Sequence, residues 1–393
     1  MPGGLRRADI VVGIPSLNEA DNIAFVAEQL SIGLKKYYPA FSSIVINVDN
    51  NSQDGTKDAF LSSSTGDIPK KYITTGEGVL GKGSNLRNLF IEVEKFKPKA
   101  VIIVDADLKS ITPEWVERLG RPIIEGHDYV TPIYSRHHYD GTITNHICYP
   151  LIYGLFKANI RQPIAGDFSF SPKMAKYWLD MEWGENINQY GIDIFMTSAA
   201  LLNGFKCCQV VLGAKIHKPS APKLGPMFTQ VVTTLFDHLI KFKENWMNGR
   251  ASKECPVIGK YSHPKPQDLS VDYETLRNVA LEGFKTYNNI ISAILAPSHF
   301  DEILKMYRAK EWCINPELWV KILYDFLYSY EKDENRGEIV EALKPLYFAR
   351  AASFYNQTID SDHIDAEEQI IKQALASRKM RNYIVERLIM VFR

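Results

Sequence analysis

Cysteine is scarce in this sequence, and the few cysteines present form no recognisable pattern. The chain of 393 residues has five cysteines, an odd number, and none stands in a C-x-x-C pair. This usage indicates neither a disulfide framework nor a zinc site, and it is typical of proteins kept in a reducing compartment. We therefore expect a cytoplasmic protein.

Long apolar runs and an excess of one charge are also missing. No uninterrupted apolar stretch approaches the ~18–20 residues of a membrane span, and residues 1–7 lack the apolar core of a secretory signal. Lys and Arg number 46, as do Asp and Glu. Because nucleic-acid binders normally carry a basic excess, we expect no nucleic-acid partner. Because no apolar stretch is long enough to span a bilayer, we do not expect an integral membrane protein.

The first part of the chain alternates β-rich runs with amphipathic ones. Strands are predicted at 9–14, 43–48, 71–74 and 100–104, and helices at 22–34 and 84–96. The run at 100–104 is almost wholly apolar, as expected for a strand buried on both faces. Strands that alternate with helices predict βαβ units and a mixed, mainly parallel sheet.

The second part of the chain has a helical pattern. Apolar residues recur at helical spacing over 227–246. Residues 248–269 contain several Pro, Gly and Ser residues, which predicts a linker. From Val271 the helical pattern resumes, and Pro316 stands where a helix can start. We therefore predict an α/β domain over residues 1–225 and a helical region over residues 226–393.

A glycine-rich loop, residues 76–84, follows the third predicted strand. It nearly matches a P-loop and also fits the G-x-G-x-x-G pattern of dinucleotide-binding folds. A P-loop needs Ser or Thr after its lysine, and here Gly83 follows Lys82. The dinucleotide reading needs an acidic residue for the ribose, but Asp105 is accompanied by Asp107, a pairing that favours a metal. A plain turn is the alternative, although a lysine between two glycines suits contact with an anion.

Two carboxylates, Asp105 and Asp107, follow the apolar strand at 100–104. Residues i and i+2 of an extended segment face the same way. Both side chains therefore leave the C-terminal edge of the sheet, where open α/β sheets bind ligands. Oxygen ligands are those that Mg²⁺ prefers. The alternative is a solvated turn that caps the following helix.

Polar loops follow four successive predicted strands. They are residues 14–19, residues 49–56, the Gly-Lys-Gly loop and the Asp-x-Asp pair. The set resembles GT-A glycosyltransferases of the family 2 type. In that family the first loop and the Asp after the second strand hold the nucleoside. The Asp-x-Asp pair holds a divalent metal on the diphosphate of the sugar nucleotide.

An ordered series of motifs sharpens the resemblance. The series is Gly81-Lys82-Gly83, Asp105-Ala106-Asp107, Pro163-Ile164-Ala165-Gly166-Asp167, Tyr190-Gly191-Ile192-Asp193 and His217. Its order is similar to that in the mannosylglycerate synthases and glucosyl-3-phosphoglycerate synthases, which are retaining enzymes with small acceptors. The similarity covers roughly residues 8–222. The helical C-terminal part also suits the mannosylglycerate synthases, although no motif in it matches.

The resemblance implies a role for each matching residue. Nucleotide-sugar binding is assigned to Pro15, Asn18, Glu19, Asp49, Gly81, Lys82, Asp105 and Ala106, metal binding to Asp107 and His217, and catalytic roles to Asp193, Asp167 and Lys82. Asp193 would face the reacting centre, Asp167 would contact hexose hydroxyls, and Lys82 would touch the diphosphate. Without the resemblance, His217 would be read as a surface residue, and either aspartate could be a helix N-cap.

The acceptor side departs from the phosphoglycerate-using relatives. Those enzymes have an Arg within the stretch corresponding to 141–144, where this chain has Gly-Thr-Ile-Thr. The loss of a bidentate cation argues against a phosphorylated acceptor. Mannosylglycerate synthases also have an Arg near position 131, which is Thr131 here. Arg136 is therefore the candidate for binding an acceptor carboxylate, with Thr144 as a hydroxyl partner.

The prediction is a metal-dependent hexosyltransferase, and retention follows only from the resemblance. It would move a hexose from a GDP- or UDP-linked donor to a small hydroxy acid such as D-glycerate, with Mg²⁺ or Mn²⁺ as cofactor. Transfer to a polyprenyl phosphate or to 3-phosphoglycerate is the alternative within the same fold. A P-loop NTPase and a non-catalytic nucleotide-binding scaffold are rivals from other classes. The oligomeric state is open, with a homodimer as one option.

Overall fold

The chain forms two compact units that are interleaved in sequence. The computed structural model describes residues 7–218, 224–248, 255–260 and 264–389. The first unit draws on Met1–Ser135, Gln162–Pro222 and Lys253–Pro264, and the second on Arg136–Arg161, Lys223–Ser252 and Lys265–Arg393. No single cut reproduces this division, since 136–161 belongs to the second unit and 253–264 to the first. A boundary at residue 225 between catalytic and helical domains stays a prediction.

The first unit is built on one eight-stranded sheet of the described residues. Its strands are β1 (Ile10–Ser16), β2 (Ser43–Asp49), β3 (Lys70–Thr74), β4 (Ala100–Ile103), β5 (Tyr129–Ser135), β6 (Phe168–Phe170), β7 (Cys207–Ala214) and β8 (Val257–Ile258). Their order across the sheet is β3-β2-β1-β4-β6-β5-β7-β8. Only β6 runs antiparallel to its neighbours. The predicted mixed, mainly parallel sheet is therefore confirmed.

Sixteen α-helices and two π-helical segments are formed by the described residues. They are α1 (Ile23–Tyr37), α2 (Thr56–Ser62), α3 (Lys82–Phe96), α4 (Pro113–Ile124), α5 (Tyr149–Leu151, between π-helical segments Thr144–Cys148 and Ile152–Phe156), α6 (Pro172–Leu179), α7 (Glu185–Asn188), α8 (Ile192–Leu202), α9 (Leu224–Lys241), α10 (Lys243–Met247), α11 (Tyr273–Ile294), α12 (Pro297–Ala309), α13 (Pro316–Lys332), α14 (Arg336–Thr358), α15 (His363–Lys379) and α16 (Arg381–Ile389). None of these helices is long and apolar enough to cross a bilayer.

The sequence pattern located the first four strands and their helices to within a few residues. The apolar strands β1, β2 and β4 are buried along their whole length, because helices cover both faces of a parallel sheet. Pro15 ends the predicted first strand, yet β1 continues to Ser16. Pro316 begins α13 at a first-turn position, where its missing N–H leaves no intrahelical bond unmade.

Two predictions for the middle of the chain need correction. The helix predicted over 227–246 is divided at Phe242 into α9 and α10. The stretch predicted as a linker, 248–269, contributes β8 to the edge of the sheet. A strand of two residues has no periodicity to detect, so the Pro and Gly residues around it dominated the pattern. Residues 249–254 and 261–263 of that stretch lie outside the described residues.

The second unit is helical and is pinned by a buried carboxylate, Asp325 of α13. Its Oδ2 accepts hydrogen bonds from His299 Nδ1 at 2.8 Å and from the backbone N–H of Ala296 at 3.1 Å. Its Oδ1 accepts one from the Tyr383 hydroxyl at 2.5 Å and also pairs with Arg387. Because a buried carboxylate must be paired and hydrogen-bonded, these contacts fix the positions of α12 and α16 against α13.

Close packing at the start of α3 depends on two glycines. A methyl group at Gly83 would overlap the carbonyl oxygen of Ile187, and one at Gly81 would overlap that of Asn188. Gly81 also has a φ of +113°, which side chains rarely adopt. The Gly-Lys-Gly sequence therefore lets the helix begin directly against the backbone of α7.

We expect Gly83→Ala to lower the free energy of unfolding by about 1–3 kcal/mol, because an added methyl in a packed site forces the backbone to shift. Urea denaturation followed by circular dichroism measures the change. Gly76→Ala is the matched control, since its Cβ would make only an ordinary contact with Val79 at 3.8 Å, and its effect should stay within about 1 kcal/mol. Equal midpoints for the two variants would contradict the packing role of Gly83.

Candidate active site

One edge of the sheet in the first unit gathers most of the predicted site residues. The parallel strands β1, β2, β4 and β7 all end there, and the antiparallel β6 begins there. The carboxyl ends of strands in open α/β sheets are where ligands bind. Site residues from distant parts of the sequence thus come from adjacent strand ends.

Asp167, directly before β6, is the buried centre of this edge. Its Oδ1 accepts a hydrogen bond from the backbone N–H of Asp105 at 2.8 Å. Its Oδ2 accepts from the Tyr134 hydroxyl at 2.6 Å and from Lys215 Nζ at 2.7 Å. Asp167 is 0% exposed, and its contact with hexose hydroxyls stays a prediction. Its carboxylate positions Asp105 and Lys215.

Lys82 lies between two carboxylates at the first turn of α3. Its Nζ is 2.8 Å from Asp105 Oδ1 and 3.3 Å from Asp193 Oδ1. Burial disfavours the ammonium ion, but the charges of Asp105 and Asp193 outweigh burial and raise the pKa of Lys82. A positive charge at a helix N-terminus opposes the helix dipole, so these two carboxylates are what stabilise Lys82 here.

Asp105 and Asp193 respond to the same charges in opposite directions. Burial disfavours both carboxylates, yet Lys82 and Lys215 together lower the pKa of Asp105. Burial raises the pKa of Asp193, with Lys82 only partly compensating. Asp193 Oδ1 makes no hydrogen bond among the described residues, although it is 8% exposed. This oxygen is buried and lies 3.3 Å from Lys82 Nζ.

Asp107 and His217 form the predicted metal pair. Asp107 Oδ2 lies 3.9 Å from His217 Nδ1, and two metal bonds of about 2.1 Å can span that distance. The segments that carry them are joined by a hydrogen bond from Lys109 N to the carbonyl of Ile216 at 2.9 Å. Among the described residues no group of three His, Cys, Asp or Glu side chains is arranged to hold a metal. A cation here would need further ligands from a substrate or water.

The charge balance of this edge favours a divalent cation. Two lysines, Lys82 and Lys215, face four aspartates at 105, 107, 167 and 193, so the formal charge is about −2 with His217 neutral. Burial, and then the charge of Asp105, raise the pKa of Asp107. Mg²⁺ is commonly bound by one or two carboxylates together with substrate phosphates. The residues present therefore fit a divalent metal carried by a diphosphate.

Asp49, predicted to line the nucleoside pocket, is fully engaged within the protein. Its carboxylate accepts hydrogen bonds from the Ser16 hydroxyl at 2.6 Å, the Ser52 hydroxyl at 2.6 Å and N–H at 2.8 Å, and the Tyr72 hydroxyl at 2.9 Å. The residue is 0% exposed. These contacts shape the loop that follows β2, and the role of Asp49 in the nucleoside pocket stays a prediction.

The other nucleoside candidates differ in exposure. Asn18 is exposed and has a φ of +56°. Its backbone N–H donates a hydrogen bond to Ser52 Oγ at 2.8 Å. Glu19 pairs with Lys218 at 2.7 Å; burial raises the pKa of Glu19 more than Lys218 lowers it. Pro15 and Ala106 are buried, and their part in nucleotide-sugar binding stays a prediction.

Two backbone N–H groups of the glycine-rich loop are used within the protein. The N–H of Gly81 donates to Asn50 Oδ1 at 2.7 Å, and the N–H of Gly83 donates to the carbonyl of Gln189 at 3.1 Å. These two groups are therefore not directed at an anion, and the part of Gly81 in nucleotide-sugar binding stays a prediction. The same hydrogen bonds exclude the P-loop reading, and Lys82 alone remains from that motif.

The acceptor candidates belong to the second unit. Arg136 donates from Nε to Asp140 Oδ2 at 2.8 Å, and its Nη2 is 2.8 Å from the same oxygen. Thr144 begins a π-helical segment and is 3% exposed. A hydroxyl buried to that extent is not available to a small acceptor, so its predicted role is not supported. Arg136 remains the acceptor candidate.

Lys215 is the principal residue that the sequence pattern missed. Lys215 stands beside the polar residues His217 and Lys218, yet its side chain is only 3% exposed. It reaches Asp167, Asp105 at 3.4 Å and the carbonyl of Ala165 at 2.7 Å. The i, i+2 spacing of Lys215 and His217, which repeats that of Asp105 and Asp107, is the signal that could have revealed it.

Comparison with known proteins agrees with this geometry. Residues 11–178 match the family model described as Glycosyl transferase family 2. The match spans less than half of the chain, and it agrees with a glycosyltransferase of GT-A fold, as the motifs predicted. The matched residues include Lys82, Asp105, Asp107 and Asp167, whereas Asp193 and His217 lie beyond it.

Among solved structures, the chain is similar to glucosyl-3-phosphoglycerate synthase from Mycobacterium tuberculosis. Its complex with Mn²⁺, UDP and glucosyl-3-phosphoglycerate is 23% identical, with a TM-score of 0.49, covering 59% of this chain and 80% of that one. Its complex with Mg²⁺ and UDP is also 23% identical, with a TM-score of 0.49, covering 59% and 79%. Comparison with curated proteins finds no match.

We expect Lys215→Met to lower the free energy of unfolding by about 3–5 kcal/mol, because it leaves the buried carboxylate of Asp167 without its cation. Lys218→Met is the matched control: its side chain is 35% exposed and pairs with Glu19 and Asp21, so it should cost about 0–1 kcal/mol. Urea unfolding curves of both variants give the comparison. A Lys215→Met midpoint no lower than that of Lys218→Met would show that the buried pair does not hold this edge together.

Proposed function

We propose that the chain transfers a hexose from a nucleoside-diphosphate sugar to a small hydroxy acid such as D-glycerate, with retention at the anomeric carbon. The observation that carries the proposal is the Asp107–His217 pair, 3.9 Å apart, beside Lys82, Asp105 and Asp193 at one sheet edge of a family 2 domain. Retention and the acceptor class rest on the resemblance of the ordered motifs.

The proposed donor is bound by its diphosphate. Mg²⁺ or Mn²⁺ held by Asp107 and His217 would neutralise the charge that develops on the leaving diphosphate. Lys82 supplies a second positive charge from the first turn of α3. Because Asp105 holds Lys82 at 2.8 Å, the ammonium group is already oriented before a donor binds, and little side-chain entropy remains to be lost.

Asp193 is proposed to contact the reacting groups. Its Oδ1, which makes no hydrogen bond among the described residues, would accept one from a sugar or acceptor hydroxyl and so fix that group relative to the anomeric carbon. Lys82 keeps the carboxylate in place through its ion pair. A substitution on one face, in which the leaving phosphate takes the acceptor proton, needs no covalent nucleophile. Asp193 then acts by orientation.

The metal pair gives a direct prediction. We expect His217→Ala to lower kcat/KM for transfer by more than ~100-fold, since losing even an outer partner of a metal ligand costs 10–100-fold. It should also raise the Mn²⁺ concentration needed for half-maximal activity. Steady-state kinetics over a Mn²⁺ titration measure both quantities. His127→Ala is the control, because the His127 imidazole lies 3.2 Å from the carbonyl of Pro122, away from the metal pair. Unchanged metal dependence in His217→Ala would remove His217 from the metal site.

The donor and acceptor are tested together with the purified chain. UDP- and GDP-hexoses are crossed with D-glycerate, lactate, glycolate and 3-phosphoglycerate, and products are identified by mass spectrometry. We expect transfer to an acceptor with a free carboxylate and no phosphate. A kcat/KM for 3-phosphoglycerate at least tenfold above that for D-glycerate, about 1.4 kcal/mol, would contradict the acceptor class. A polyprenyl phosphate is assayed as a fifth acceptor. Transfer to it and to none of the hydroxy acids would favour the alternative acceptor class.

Arg136→Ala tests the carboxylate partner separately. We expect kcat/KM for D-glycerate to fall at least about tenfold, because a charge-assisted hydrogen bond to the carboxylate is lost. Arg121→Ala is the matched control, since Arg121 also pairs with a carboxylate four residues away, that of Glu117. If Arg136→Ala leaves the D-glycerate value at the control level, another cation binds the acceptor.

A further inference from the structure

Two cysteines of the first unit face each other at the edge of the sheet. Cys207 is the first residue of β7, and Cys255 lies two residues before β8. In this parallel pair Gln209 is opposite Val257, so the same register sets Cys207 opposite Cys255. Two hydrogen bonds carry the register back to Cys255: Gln209 N donates to the carbonyl of Pro256 at 2.8 Å, and Gln209 Nε2 to that of Cys255 at 3.3 Å.

The two thiols differ in accessibility. Their interaction lowers the pKa of Cys255 and, together with burial, raises the pKa of Cys207. The Cys207 thiol also donates a hydrogen bond to the carbonyl of Phe205 at 3.5 Å. Cys207 is 3% exposed, whereas Cys255 is partly exposed. Cys255 is therefore the thiol that a reagent reaches first and that ionises more readily.

We propose that Cys207 and Cys255 are a modification site, at which a small-molecule disulfide such as oxidised glutathione converts the two thiols into a reversible intrachain disulfide. Neighbouring strands lie about 4.8 Å apart. That spacing is within the range of about 4.4–6.8 Å between the Cα atoms of disulfide-bonded cysteines. No large movement of either strand is required.

The exchange proceeds in two steps. The Cys255 thiolate attacks one sulfur of oxidised glutathione, a mixed disulfide forms, and one glutathione thiolate leaves. Cys207 then attacks the Cys255 sulfur of the mixed disulfide, gives its proton to the second leaving thiolate, and closes the intrachain bond. Two protein thiols are oxidised and one glutathione disulfide is reduced to two glutathiones.

The position of the pair gives the bond a structural consequence. Between Cys207 and Cys255 the chain leaves the first unit after Pro222 and returns at Lys253. A disulfide would link these two segments of the first unit covalently and would hold β8 against β7. Since β8 is only two residues long, its hydrogen bonds to β7 alone give it little protection against local opening.

The test treats the full chain with a graded series of oxidised and reduced glutathione, blocks remaining thiols by alkylation, and maps peptides by mass spectrometry. We expect a Cys207–Cys255 cross-linked peptide, a fall from five alkylatable thiols to three, and full reversal by dithiothreitol. Amide exchange at Val257 and Ile258 should slow in the oxidised form. Stable glutathionylation of Cys255 without cross-linking, or a cross-link through Cys208, would overturn the proposal.

Two variants make the result specific. Cys255→Ser should give no cross-link. Because Cys255 is only partly buried, we expect this variant to fold, and circular dichroism checks that it does. Cys208→Ala is the matched control, since Cys208 is the adjacent residue of the same strand and is buried; it should form the cross-link as before. If Cys208→Ala loses the cross-link while its fold is unchanged, Cys208 and not Cys207 is the partner of Cys255, and the proposal is wrong.

Discussion

The buried carboxylate of Asp167 is the contact on which the rest of the site depends. It ties together the ends of β4, β5 and β7 through Asp105, Tyr134 and Lys215. Inside a protein such a charge is stable only when it is paired and hydrogen-bonded. The need to satisfy Asp167 therefore fixes Asp105, and with it the segment that carries Asp107.

This constraint also explains the glycine before Asp167. A side chain at Gly166 would overlap Asp105, and the residue has a φ of +88°. The backbone can approach the carboxylate of Asp105 only because no Cβ is present. The Ala-Gly-Asp sequence is thus a packing solution as well as a family motif, and it places three charged groups within one small volume.

Much of the fold and part of the site could be predicted from the sequence. The apolar runs located the central strands, and the Asp-x-Asp motif marked Asp105 and Asp107, which lie near Lys82 and His217 respectively. Residues 106 and 107 form a turn, so the extended segment expected there is wrong. These features are local, or follow from the rule that parallel strands end at one edge. Such rules act on single segments and need no knowledge of partners.

What the sequence did not reveal depends on partners distant in the chain. Asp49 stands at a strand end like a ligand-binding residue, but its carboxylate accepts hydrogen bonds within the protein, one of them from the Ser16 hydroxyl, 33 residues earlier. Lys215 belongs to a polar stretch, yet it is buried because Asp167, 48 residues earlier, requires a cation. Whether a polar residue faces a ligand or another residue is decided by tertiary contacts, which no spacing pattern records.

The interleaving of the two units has a consequence for biosynthesis. Because the first unit needs β8, its sheet is not complete until residues 257 and 258 have left the ribosome. By then residues 136–161, which belong to the second unit, have been followed by only one further segment of that unit, 223–252, and its largest segment, from residue 265, is still to come. At about 5–20 residues per second, this delay leaves apolar helical surface unsatisfied for several seconds, a period in which a chaperone would find a substrate.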